Sequence, residues 1–268
     1  MARSQAKSVA LTIAGSDPGG GAGIQADLKT FAALGVYGYS AITEIIAQNS
    51  STVGKIAVVA PAMIAAQIEI VARERRPDAI KIGALGNAAA VRIVARTIRE
   101  LRLPAPVIDP VIVSSVGVRL LDRAGERALV GKLVPMARVV TPNLAEAEAL
   151  TGMEIADDAQ ARAAAKRIVE MGARAVIIKG GHRGGAESVD LMYDGRRFRE
   201  FHAPRLRGDV HGTGCAFSAA IAAYLARGAD LEAAVRHAKR YVTAAIRGTF
   251  KLGKSRPVLG HFGRPGIF

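Results

Sequence analysis

The sequence holds a single cysteine, Cys215, among 268 residues, so no internal disulfide braces the fold. Aromatic side chains are scarce, at 4%, and no cluster of them forms a stacking platform for bases. Acids are outnumbered by bases, 23 to 37, and the net charge of +14 would on its own suggest a nucleic-acid partner. The cations, however, are dispersed over helix faces, as at Arg92, Arg96, Arg99 and Arg102, which is the pattern of a solvated surface. With no nucleic-acid motif either, no nucleic acid is expected. No apolar run reaches the ~18 residues that a membrane span requires, because Pro61, Gln67 and Glu69 interrupt the best candidate. The basic, apolar start of the chain runs straight into Ser16-Asp17 and reads as a first strand rather than a leader. No membrane partner is expected. The cytoplasm is the expected compartment, and there the sequon Asn49-Ser50-Ser51 is inert. None of the five histidines is spaced with another as a metal-ligand pair, so no zinc is assigned.

What is present is alternation. Apolar strand-like runs at 9–14, 40–47, 79–82, 107–113, 139–141 and 175–179 lie between helical patterns near 22–35, 61–75, 87–102, 122–134, 143–151 and 157–171. This order predicts an α/β fold with a central, mostly parallel sheet covered by helices on both faces. Runs at 188–193 and 196–202, separated by Asp194-Gly195, read as a hairpin. The chain reads as one domain, 1–268, with an irregular tail from about 251. Gly15, Gln48, Asp109, Asn143 and Gly180 all fall at the carboxyl ends of strands, where open sheets of this kind gather their sites. Residues 248–255 satisfy the P-loop spacing, but a helix precedes them and Pro257 soon follows, so no P-loop is expected there.

Two glycine-opened helix starts carry the chemistry. His211-Gly212-Thr213-Gly214-Cys215 leads into an Ala-rich helix and leaves backbone N–H groups free at the positive end of its dipole, which favours an anion. A thiol placed there is expected to have a lowered pKa and to serve as a base, the alternative being a small buried hydrophobe. The second start, 15–23, is also rich in glycine, so two anionic groups are expected. Asp27 falls within the apolar stripe made by Ile24, Leu28, Phe31 and Leu34, where a carboxylate needs partners. Asn143 and Glu146 form a capping-box spacing.

Taken together, residues 15–31, Ala47-Gln48-Asn49, Lys81-Ile82-Gly83, Asp109-Pro110-Val111, 141–147, 179–182 and 211–215 resemble the hydroxymethylpyrimidine and phosphomethylpyrimidine kinases, members of the ribokinase-like superfamily. The resemblance implies a ribokinase-like three-layer α/β/α sandwich. It also implies ATP-dependent phosphorylation of 4-amino-5-hydroxymethyl-2-methylpyrimidine and of its monophosphate, with Mg²⁺, by a homodimer whose partners are the pyrimidine substrate and ATP. By the same resemblance Gly15, Gly21, Asp27, Gln48 and Val111 would bind the pyrimidine, and Lys179, Asn143 and Thr213 would bind ATP. Asp109 and Glu146 would organise the metal through water, and Gly212, Thr213, Gly214 and Cys215 would be catalytic. The chain departs from the family pattern at Ala84, at Ser115 beside Val116, and at Gly19. A pyridoxal-type vitamin kinase and a pyrimidine-binding module without chemistry are the alternatives.

Overall fold

The computed structural model describes residues 7–180, 185–206, 208, 210–253 and 256–262. The chain runs β1 (Val9–Ser16), α1 (Gly23–Ala33), β2 (Tyr37–Gln48), β3 (Val53–Val58), α2 (Pro61–Glu74), β4 (Ala79–Ile82), α3 (Ala88–Glu100), β5 (Val107–Ile108) and α4 (Arg123–Ala128). It continues through β6 (Val139–Val140), α5 (Leu144–Thr151), α6 (Asp158–Glu170), β7 (Val176–Ile178), β8 (Glu187–Tyr193), β9 (Phe198–Pro204), α7 (Thr213–Ala226) and α8 (Leu231–Arg247). One sheet holds all nine strands in the order β3-β2-β1-β4-β5-β6-β7-β8-β9. β2, β1, β4, β5, β6 and β7 pair in parallel, and β3, β8 and β9 join antiparallel.

Strand alternation sorts side chains to two cores. Leu11, Ile13, Ile80 and Ile82 face a core shared with Ile64, Val91, Val94 and Ile168 of α2, α3 and α6. Ala10 and Ala79 face the other, with Phe31 of α1, the alanines of α7 and Tyr241 of α8. Thr12 and Lys81, which are paired across β1 and β4, therefore lie under α1 and α7. There Lys81 Nζ meets Asp27 Oδ2 at 2.8 Å with both side chains fully buried, and the Thr12 hydroxyl donates to the same oxygen at 2.5 Å. Burial opposes the Lys81 charge, but Asp27 more than offsets it and holds the ammonium above its ordinary range.

The predicted alternation is realised, with local differences. The run expected as a strand over 107–113 stops at Ile108, because Pro110 has no N–H to donate. An excursion follows in which Val113 bridges Arg119. β3 had no sequence signal, since it is exposed along nearly its whole length and so lacks apolar alternation. The hairpin forms as β8 and β9, with Asp194 Oδ1 accepting from the N–H groups of Arg196 and Arg197. α8 runs up to Gly248 and Phe250 bridges Val258, so the P-loop spacing has no strand before it. Residues 256–262 are irregular but anchored, with Val258, Leu259 and His261 buried.

Removing one member of a buried ion pair strands the other. Lys81→Met should therefore lower unfolding free energy by about 3–5 kcal/mol in urea titration, and Asp27→Leu/Lys81→Met should recover most of that loss.

Candidate active site

The two glycine-rich turns touch. Gly212, with φ +86°, begins α7 so close to Gly21 that a Cβ on it would lie 1.7 Å from the Gly21 carbonyl oxygen. Asp17 ties the first turn together, accepting from the N–H of Gly19 at 2.9 Å and of Ala22 at 2.7 Å. His211 Nε2 lies 3.3 Å from Asp17 Oδ2, and its Nδ1 lies 3.3 Å from Ser115 Oγ. Ser115, one of the departures from the family pattern, thus joins its loop to the start of α7. No side chain caps the first turn of α7, which leaves Thr213, Gly214 and Cys215 as the open end of a 14-residue helix.

Cys215 reverses one expectation. The helix dipole was expected to lower its thiol towards neutrality, but burial pushes it up to about 11, reinforced by the Asp109 and Asp27 carboxylates. Lys81 and the Gly23 N–H pull in the other direction without overcoming this. Asp27, beneath the Cys215 turn, gives Oδ2 to Lys81 and Thr12, while its Oδ1 is buried with no hydrogen-bond partner among the described residues.

A second ionic cluster forms at the ends of β5, β6 and β7. Lys179 Nζ lies 2.8 Å from Asp109 Oδ1 and 3.7 Å from Glu146 Oε2. Ser218 Oγ donates to Asp109 Oδ2 at 3.3 Å. Burial acts to raise the Asp109 carboxyl, yet Lys179 and Lys81 hold it below the usual range. Glu146 is pushed by burial to about 7. The capping box is formed, with Asn143 Oδ1 accepting from the Glu146 N–H and Glu146 Oε2 accepting from the Asn143 N–H, both at 2.8 Å. Among the described residues, no group of three or more His, Cys, Asp or Glu side chains is arranged around a metal position. Asp109 and Glu146 supply two carboxylates. That set fits Mg²⁺ held through water and nucleotide phosphates, since this ion keeps several waters and takes few protein ligands.

Glu44 was missed by the sequence reading. It lies fully buried on β2, and neither carboxyl oxygen has a hydrogen-bond partner. Two glycines bracket it, since a Cβ at Gly15 would lie 3.1 Å from Oε1 and one at Gly86 would lie 3.0 Å from Oε2. Ile46, Ala84 and Leu120, with Val53 and Val111 against them, form an apolar cluster beside it. Burial alone pushes its carboxyl to about 7. The available signal was an acid among Ile42, Ile45 and Ile46, a strand position where a charge is out of place. Gln48 ends the same strand half-buried.

The sheet order, the paired glycine turns and the buried cations define a ribokinase-like phosphotransferase. The phosphomethylpyrimidine kinase family model matches residues 17–259, and the chain belongs to that family. A hydroxymethylpyrimidine/phosphomethylpyrimidine kinase of Rhizobium meliloti is 47% identical over 96% of this chain and 97% of its own length. The thiamine biosynthesis bifunctional protein ThiED of Geobacter sulfurreducens is 46% identical over 94% of this chain, which spans 51% of that longer relative. Among solved structures, phosphomethylpyrimidine kinase from Clostridium difficile aligns with a TM-score of 0.80 at 38% identity, covering 90% of this chain and 100% of that one. Pyridoxal kinase from Staphylococcus aureus in complex with ADP aligns at 0.88 and 36%, covering 96% and 94%.

Two outcomes follow from the site. Glu44 has a folded pKa raised from 4.5 to about 7, so its ionisation costs stability progressively as pH rises from 4.5 to 7. Glu44→Gln should therefore gain on the wild type in melting temperature between pH 5 and 7, with the gap level above 7 and worth at most ~3 kcal/mol. For Cys215, alkylation by iodoacetamide should be slow at neutral pH and rise about tenfold per pH unit towards pH 11, as the thiolate fraction does.

Proposed function

We propose that this kinase transfers the γ-phosphoryl group of ATP to the hydroxymethyl oxygen of 4-amino-5-hydroxymethyl-2-methylpyrimidine, and then to the resulting monophosphate, in thiamine biosynthesis. The observation that carries this reading is Glu44, whose two oxygens are buried without partners beside an apolar wall. A neutral carboxyl offers one O–H donor and one C=O acceptor. An aminopyrimidine offers the complement, a ring nitrogen that accepts and an adjacent amine that donates. Gly15 and Gly86 lie against that carboxyl with no side chain between, and in this reading Gly21, Gln48 and Val111 complete the surroundings of the ring.

In the transfer, the thiolate form of Cys215, a small fraction at neutral pH with the thiol at about 11, takes the hydroxymethyl proton, the oxygen attacks the γ-phosphorus, and the bond to ADP breaks. The N–H groups of Gly212, Thr213, Gly214 and Cys215 meet the charge on the migrating group. Lys179 neutralises the phosphates and Asn143 fixes the start of α5 beside them. Mg²⁺, held through water by Asp109 and Glu146, adds further charge neutralisation when bound. Asp27 anchors the Lys81 cation beneath Cys215 through Oδ2 and offers its unpartnered Oδ1 to the amine of the ring. Residues 1–268 make up one kinase domain, working in the cytoplasm. A homodimer belongs to the same reading: β3 is an open sheet edge, and Ile45, Ile56, Val58 and Met63 nearby are exposed.

A pyridoxal-type kinase is the second reading, favoured by the 0.87 TM-score to the Staphylococcus aureus pyridoxal kinase in complex with pyridoxal, at 36% identity. Steady-state assays with the hydroxymethylpyrimidine, its monophosphate and pyridoxal as acceptors separate the two. The first two should be turned over at far higher kcat/KM, and a preference for pyridoxal would reject the assignment. Glu44→Ala should weaken pyrimidine binding by about 1–3 kcal/mol and leave ATP affinity unchanged, while Glu44→Gln retains most of it. Cys215→Ser should lower turnover by roughly 10²–10⁴-fold with little change in either affinity.

A further inference from the structure

A third buried ion pair lies away from the reacting groups. Lys239 of α8 places its Nζ 2.7 Å from Asp190 Oδ2 and 3.0 Å from Ser188 Oγ, both on β8. Asp190 is 4% exposed and Lys239 9%. A buried pair of this kind stabilises little relative to apolar packing, so the geometry it imposes is what needs explaining. The other oxygen, Asp190 Oδ1, accepts from the N–H of Gly180 at 3.0 Å. Gly180 follows Lys179 directly and is gripped on its remaining sides. Arg205 approaches its carbonyl at 3.5 Å, and a Cβ would lie 1.7 Å from the Val189 carbonyl oxygen. One residue earlier, the Lys179 N–H donates to the Pro142 carbonyl at 2.8 Å.

We propose that Asp190, aligned by Lys239, is a positioning residue for the ATP-binding end of the site: by holding the Gly180 N–H it fixes the strand end from which Lys179 reaches Asp109 and the phosphates. The inference rests on the reading of Lys179 as a phosphate ligand. Lys239 supplies the cation that keeps Asp190 in its acceptor orientation, so α8 takes part in nucleotide binding without touching nucleotide. A displacement of about 1 Å at a phosphate ligand is enough to change rates on the order of 10²-fold, which makes a single backbone anchor measurable.

The test compares Asp190→Ala, Lys239→Met, Asp190→Asn/Lys239→Met and Lys179→Met in steady-state kinetics and thermal melting. Asp190→Ala and Lys239→Met should raise the KM for ATP by about tenfold or more and leave the KM for the pyrimidine within about twofold. The double variant keeps an oxygen acceptor for Gly180 and buries no charge, so its ATP KM should return most of the way to wild type. A lowered melting temperature with unchanged ATP KM and kcat in Asp190→Ala overturns the proposal. Equal losses for both substrates do so as well. Should Asp190→Ala not fold, a double variant no better for ATP than Lys239→Met overturns it equally. Lys179→Met separates the two levels: if it is silent, the phosphate reading and this inference fall together, and if it is impaired while Asp190→Ala is not, only this inference falls.

Discussion

Charge buried at the carboxyl ends of short parallel strands has to be answered inside the protein, and this requirement organises the rest of the molecule. Lys81 on β4 and Lys179 just past β7 are the two answering cations, set against Asp27 and Asp109. Their placement follows from strand alternation, which turns Lys81 towards α1 and α7 while its neighbours Ile80 and Ile82 fill the opposite core. Because an unpaired buried charge is so costly, each pair fixes the elements that carry its members. Lys81 ties α1 to the sheet centre, and Lys179 ties the β7 end to the residue after β5. The glycine turns are then brought together over this charged floor, with His211 lying between Asp17 and Ser115.

Much of this is legible in the sequence. Apolar runs separated by helical periods recovered the parallel strands, and Asp194-Gly195 marked the β8–β9 hairpin, because both signals are local. The capping box of Asn143 and Glu146 was readable for the same reason. β3 was not, since an exposed edge strand has no buried face to leave an alternating trace. Lys81 was visible only as part of a motif. That it pairs with Asp27 depends on register between β1 and β4 and on the docking of α1, which are long-range facts.

The misjudged residues share a cause. For Cys215, the dipole of α7 is a local property, but burial and two nearby carboxylates come from elsewhere in the chain and prevail. Glu44 is the complementary case. Its local signal is only an acid among isoleucines, and its character arises because Gly15, Gly86 and an apolar cluster surround it without offering a donor. The same desolvation that leaves a thiol protonated leaves this carboxyl able to hold its proton near neutrality, which suits it to a ring that presents an acceptor beside an amine. Family membership and the glycine turns speak to phosphoryl transfer; the proposed function assigns the choice of acceptor to Glu44.

That choice has a direct thermodynamic signature. Above its pKa of about 7 the free carboxyl is ionised, so pairing with the neutral aminopyrimidine requires it to regain a proton. Titration calorimetry of the hydroxymethylpyrimidine at pH 8.5, in two buffers of different ionisation enthalpy, counts protons taken up on binding. The account predicts uptake of close to one proton per site in the wild type and none in Glu44→Gln. Tight binding by the wild type with no proton uptake would contradict it.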